Sequence, residues 1–194
     1  MLTLQEGAIA KIDLPPGFVL MEETRGGMAM NWLRRYSKNG NDISISLFYR
    51  GAPELAQFAS DFRSLLETET VVFDGQNGPS DEVAAGHVKN MRSVLGNAGN
   101  NQITNQDKEN GPHFFLEKIQ TIKLNGRPVL SVQGYFYGGD GEIDNYYMGI
   151  FFDATPGDAT ACKVEEIIFE AKSWELFEKN FGAFQASLNS IRWE

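Results

Sequence analysis

Between Ile43 and Arg50 the side chains alternate, with Ile43, Ile45, Leu47 and Tyr49 on one face of an extended chain and Ser44, Ser46 and Phe48 on the other. Period-two alternation predicts a strand in a sheet with one well-buried face. The same period predicts strands over Ile9 to Leu14, Met28 to Tyr36, Phe114 to Leu124, Val129 to Tyr137, Asn145 to Asp153 and Ala161 to Ala171. Asn145 to Asp153 is apolar on both faces (Tyr146, Met148, Ile150 and Phe152 against Tyr147 and Phe151), which predicts a central strand covered on both sides. Asn39-Gly40 and Asn125-Gly126 stand between such runs. Each predicts a tight hairpin, because both residue types tolerate the positive φ that the turn demands.

Other runs repeat at helical spacing. Ala52 to Glu67 carries Leu55, Phe58, Phe62, Leu65 and Leu66 on one stripe, with Pro53 in the first turn. Ser80 to Leu95 starts with a capping serine and the acidic Asp81 and Glu82, and stops at Gly96; His87 lies on its apolar stripe. From Ser173 onward, Trp174, Phe177, Phe181, Phe184, Leu188 and Ile191 form an aromatic seam suited to lie on a sheet. Asn97 to Gly111, dominated by Asn, Gln, Gly and Asp, predicts a long mobile loop. Sequence-adjacent strand pairs with helices in separate blocks predict an α+β fold. The expectation is a single domain over residues 1–194, an antiparallel β-sheet packed between helices as an α/β/α sandwich.

Charge narrows the partners. Lys and Arg total 17 against 26 Asp and Glu, a formal charge of −9, and no basic run exists to displace counterions from nucleic acid. The first residues, Met1-Leu2-Thr3-Leu4-Gln5-Glu6, lack the positive region and apolar core of a signal peptide. No stretch approaches the roughly 18 apolar residues of a membrane span. A cytoplasmic protein without membrane insertion is expected.

Candidate chemistry is sparse. In "GGDGEIDNYY", Gly138 to Tyr147, the acids Asp140, Glu142 and Asp144 alternate like the first ligands of a calcium loop. Asn145 and Phe151 then stand where such a loop needs glycine and glutamate. A solvated hairpin tip is the plainer reading. His87 and His113 are the only histidines, and neither has a second histidine or a cysteine at ligand spacing. His87 reads as a core imidazole, and His113 as a base only if a nucleophile folds against it. Cys162, the lone cysteine, excludes an intramolecular disulfide and reads as a small packing residue. No nucleophile elbow, phosphate loop or dinucleotide fingerprint occurs, so no catalytic residue, metal ligand or cofactor is assigned. Tyr135, Tyr137, Tyr146 and Tyr147 cluster on adjoining strands. Tyr135, Tyr137 and Tyr147, with Asp140, Glu142 and Asp144, are the candidate partner surface; cross-strand packing is the alternative.

In "EGAIAKIDLPPGF", Glu6 to Phe18, a short strand is stopped by Pro15, Pro16 and Gly17, and backbone physics alone explains it. This opening, together with the closing strand and the helix ending at "SLNSIRW", Ser187 to Trp193, resembles the superfamily shared by the Ran guanine-nucleotide release factor and the photosystem subunit PsbP. The resemblance implies an antiparallel sheet between helices and a non-enzymatic adaptor or chaperone that binds another protein. The alternative is a small-molecule binder or enzyme with a pocket between the sheet and the second helix, near His87 or His113. A deep cavity with convergent polar groups favours the alternative; a filled core and an exposed patch favour the adaptor.

Overall fold

A computed structural model describes residues 2–25, 32–49, 62–67, 71–74, 78–79, 113–138, 142–159 and 162–194 of the chain. In chain order its elements are β1 (Leu2–Glu6), β2 (Ile9–Leu14), β3 (Val19–Arg25), β4 (Trp32–Lys38), β5 (Ile43–Tyr49), β6 (Val71–Asp74), β7 (Gly78–Pro79), β8 (His113–Leu124), β9 (Arg127–Tyr137), β10 (Ile143–Asp153), β11 (Val164–Ala171), α1 (Trp174–Asn189) and β12 (Arg192–Trp193). A nine-stranded sheet runs β3-β4-β5-β11-β10-β9-β8-β6-β7, and a three-stranded sheet runs β1-β2-β12. Adjacent strands pair antiparallel throughout.

This architecture is mainly β and corrects the expected α/β/α sandwich. The difference lies in β1, β3, β6, β7 and β12, which were not predicted because they are short or lie at sheet margins. They widen the sheet and add a second one. One face of the large sheet is therefore covered by α1 and the small sheet together: Ile12 and Leu14 of β2, and Phe177, Phe184 and Leu188 of α1, join Ile45, Leu47, Ile150, Phe152, Ile167 and Phe169 in one buried cluster. On a second cluster, Phe62, Leu65 and Leu66 of the helical turn 62–66 pack with Leu116, Ile119, Leu130, Val132, Phe151 and Val164.

The expected helix from Ala52 is described only over 62–67, where residues 62–66 are helical. The helix Ser80 to Leu95 with His87, the loop Asn97 to Gly111, and Asp140 lie outside the described residues. The strand expected over Met28 to Tyr36 is β4, displaced toward Lys38, and residues 28–31 are likewise outside. Both Asn-Gly turns form. Asn39 and Gly40 take φ of 55° and 66°, and Asn125 and Gly126 take 50° and 84°.

Helix α1 begins where Ser173 accepts the Leu176 N–H at 3.3 Å, satisfying one of the donors that a helix start leaves unpaired. Just beyond its other end, the Asn125 side-chain amide donates to the Ile191 carbonyl at 2.8 Å. The seam is shorter than its spacing predicted. Trp174 is 47% exposed at the first turn, and Ile191 is buried just past the last. Glu6 reaches across to Arg34 of β4 at 2.5 Å, tying the small sheet to the large one.

Candidate functional site

Successive strand residues point to opposite faces, so the neighbours Tyr146 and Tyr147 cannot share a surface. Tyr135, Tyr137 and Tyr146 lie on the α1 side. There the Tyr137 hydroxyl donates to Tyr135 at 3.4 Å, Tyr135 stacks on Phe115 at 4.9 Å between centroids, and Tyr146 meets Trp174 edge-on at 5.5 Å. Burial holds the Tyr135 hydroxyl above the ordinary tyrosine range. Tyr147 faces the other way, 4% exposed, with its hydroxyl donating to the buried carboxylate of Glu166 and its ring edge-on to Phe136. Glu142, just before β10, and Asp144, its second residue, are exposed, and the Gly138 N–H donates to the Glu142 carbonyl at 2.8 Å. These residues do not form one surface, so the expected partner patch is divided between two faces, and two of its tyrosines are buried.

The other candidates resolve simply. Cys162 is fully buried in the second cluster, as a packing residue would be. His113 opens β8, paired in register with Tyr137. Among the described residues no group of three or more His, Cys, Asp or Glu side chains is arranged to hold a metal. No described helix is long and apolar enough to cross a membrane.

Two features that the sequence did not advertise adjoin each other. The first is the margin of the large sheet. Strand β3 pairs with β4 alone among the described strands, and its Val19, Leu20 and Met21 are 57%, 49% and 53% exposed. The register slips between Leu20 and Glu22, so Met21 sits in a bulge, the device that turns an edge and re-aims a side chain. The following Glu22 and Glu23 engage Arg35 at 3.5 Å and Arg34 at 3.2 Å. Edge strands are ordinarily blunted by such charges. Here the charged half is matched and the apolar half is open.

The second feature is a cavity of about 330 Å³ that begins at Met21 and Glu22. Its floor is the polar face of β4, β5 and β11, where Ser37, Ser44 and Glu170 stand side by side in register. Ser44 donates to Glu170 at 3.4 Å. Burial raises the Glu170 carboxyl above the usual range, opposed by Arg35, the Ser44 bond and Lys172. Arg35 and Ser37 each keep a buried polar atom, Nε and Oγ, without a hydrogen-bond partner. Polar groups converge here, as the alternative reading required, but the site is a half-open groove over β4, β5 and β11 with Asn145 of β10 at its wall, and His113 on β8 does not line it. A partial signal existed in Ser37 and Ser44, polar positions on two strands joined by the Asn39-Gly40 turn.

No protein-family model matches the chain, and no curated protein matches it either.

Proposed function

We propose that the protein is a non-enzymatic binding module, and that the margin β3 is where a partner protein docks by adding an extended segment to the sheet. One observation carries the reading: three consecutive apolar side chains are about half exposed on a strand whose outer side no described strand pairs. Unpaired edge amides and carbonyls supply main-chain hydrogen bonds to an incoming strand, and exposed apolar side chains supply the area that makes the addition favourable. The surface moves from the tyrosines to β3, while the adaptor or chaperone role stays as the resemblance to the Ran release factor and PsbP implies it. A cytoplasmic setting belongs to the same proposal, supported by a lone cysteine that is fully buried.

The test is site-specific photocrosslinking in the native cell. A crosslinker at Leu20 is expected to capture one discrete partner, and one at Gln185, exposed on α1, is not. Equal capture at both positions, or none at Leu20, overturns the reading.

A further inference from the structure

We infer that the cavity beside β3 is a binding site for a small zwitterion of the α-amino-acid class, its carboxylate held by Arg35 and Ser37 and its ammonium group by Glu170. The inference is independent of protein docking at β3. It starts from unmet hydrogen bonds. Ser37 is 2% exposed, its Oγ has no partner, and it lines the cavity. Buried polar groups are almost always satisfied, and an orphan lining a cavity points to an occupant. Arg35 repeats the pattern: Nη1 approaches Glu22 at 3.5 Å, whereas the buried Nε has no partner. The Nε edge of a guanidinium is one side of the planar fork that grips a carboxylate with two parallel bonds. Both orphans call for an oxygen acceptor.

Charge sets the rest of the ligand. Lys172 at the rim adds attraction for a carboxylate, but Glu170, Asp42 and Glu22, the last already engaging Arg35 Nη1, line the same cavity and would repel a simple anion. A simple cation would meet Glu170 and Asp42 favourably and leave Arg35 and Ser37 unsatisfied. Only a ligand carrying both signs a short distance apart answers all of these groups. At about 330 Å³ the cavity lies at the small end of ligand sites, which run from roughly 300 to 1,000 Å³, and suits a single amino acid over an extended peptide.

The probes are the standard amino acids, presented singly to the full chain and followed by thermal unfolding and calorimetry. For the best of them, the matched amine lacking the carboxylate and the matched acid lacking the amino group serve as controls. At least one amino acid is expected to raise the melting temperature saturably, with both controls at least about tenfold weaker, the size of one lost charge-assisted bond. Ser37→Ala and Arg35→Gln are expected to weaken binding about tenfold or more. Glu170→Gln should erase the preference over the acid control. Should Arg35→Gln fail to fold, backbone-amide NMR of the unaltered chain decides, with shifts expected at Ser37, Ser44 and Glu170. Controls that bind as well as the amino acid, binding indifferent to Ser37→Ala, shifts confined elsewhere, or no binding at millimolar probe would each overturn the inference.

Discussion

The carboxylate of Glu165 on β11 accepts the backbone N–H of Ala8 at 3.0 Å, across 157 residues of sequence. Gly7, at φ +57°, makes room for it, since a Cβ there would fall onto the carboxylate. Burial pushes the Glu165 carboxyl up to about 7, opposed by the Ala8 N–H and Arg127, with Glu6 and Glu194 adding to the rise. A carboxyl raised from 4.5 when folded binds its proton more tightly in the native state. Its contribution is therefore full below the unfolded value and is lost as pH climbs through the folded one. Glu165→Gln, which fixes the neutral shape, should match the unaltered protein at acid pH and exceed its stability above neutrality by on the order of 2–3 kcal/mol. Denaturant unfolding of both proteins across that window is the check, and taking their difference removes the like-signed contribution of Glu170. Parallel curves would show that Glu165 does not titrate in the window.

Gly149 pairs with Ile168 in mid-sheet, and a Cβ there would collide with the Tyr147 hydroxyl and the Glu166 carboxylate. The missing side chain lets the Tyr147 ring lie over the strand and reach Glu166. Gly149→Ala should cost about 2–4 kcal/mol, because a packed face must shift and a buried bond is lost. Tyr147→Phe should cost about 1–3 kcal/mol. The two should combine to less than their sum, since each removes the same bond. Thermal or denaturant unfolding of the four proteins completes the cycle, and full additivity would uncouple the two residues.

How much of this was legible in the sequence follows from the physics of each element. The hairpins at Asn39-Gly40 and Asn125-Gly126 were, because few residues accept positive φ and these two advertise it locally. Strand β10 was, because a strand apolar on both faces has few places to go. Strand β3 was not. Val19-Leu20-Met21 followed by Glu22-Glu23 shows no period of two, since a bulge interrupts it and an edge strand need not bury a face. The cavity was not, because Glu170 comes from a distant segment and joins Ser37 and Ser44, which the Asn39-Gly40 hairpin already pairs, only through the β5-β11 register. The divided tyrosine patch was knowable in part: Tyr146 and Tyr147 are adjacent, and adjacent strand residues face apart.

Arg63, in the helical turn 62–66, holds the segment after β10 by donating to Asp153 at 2.6 Å, the Thr155 carbonyl at 2.8 Å and the Asp158 carbonyl at 2.5 Å. Asp153 is buried, and although its Oδ1 keeps the Thr155 N–H at 2.8 Å, removing the arginine takes the charged donor from its Oδ2. Arg63→Ala should cost about 2–3 kcal/mol, the loss of a charge-assisted bond to a carboxylate that keeps its Thr155 donors. Arg63→Lys should recover only part of it, because one ammonium cannot span three acceptors as a planar fork does. Asp153→Asn paired with Arg63→Ala should be milder than Arg63→Ala alone. Unfolding free energies check the order, and an Arg63→Lys protein as stable as the unaltered one would remove geometry from the account.

The margin β3 separates binding from stability. Val19 and Leu20 are 57% and 49% exposed, so replacing them removes little buried area. Val19→Lys and Leu20→Lys should leave the unfolding free energy within about 0.5 kcal/mol, as surface changes usually do. Leu14→Lys, at a position with no exposed area, should prevent folding. An incoming strand would meet a new charge at the edge it pairs with, the means by which natural edges refuse company. Partner capture from Leu20, and any concentration-dependent self-association seen by light scattering, should therefore fall in Val19→Lys with circular dichroism and melting temperature unchanged. A variant that melts early would make β3 a structural strand whose exposed side chains support the sheet; one that folds and still captures the partner would move the docking surface elsewhere.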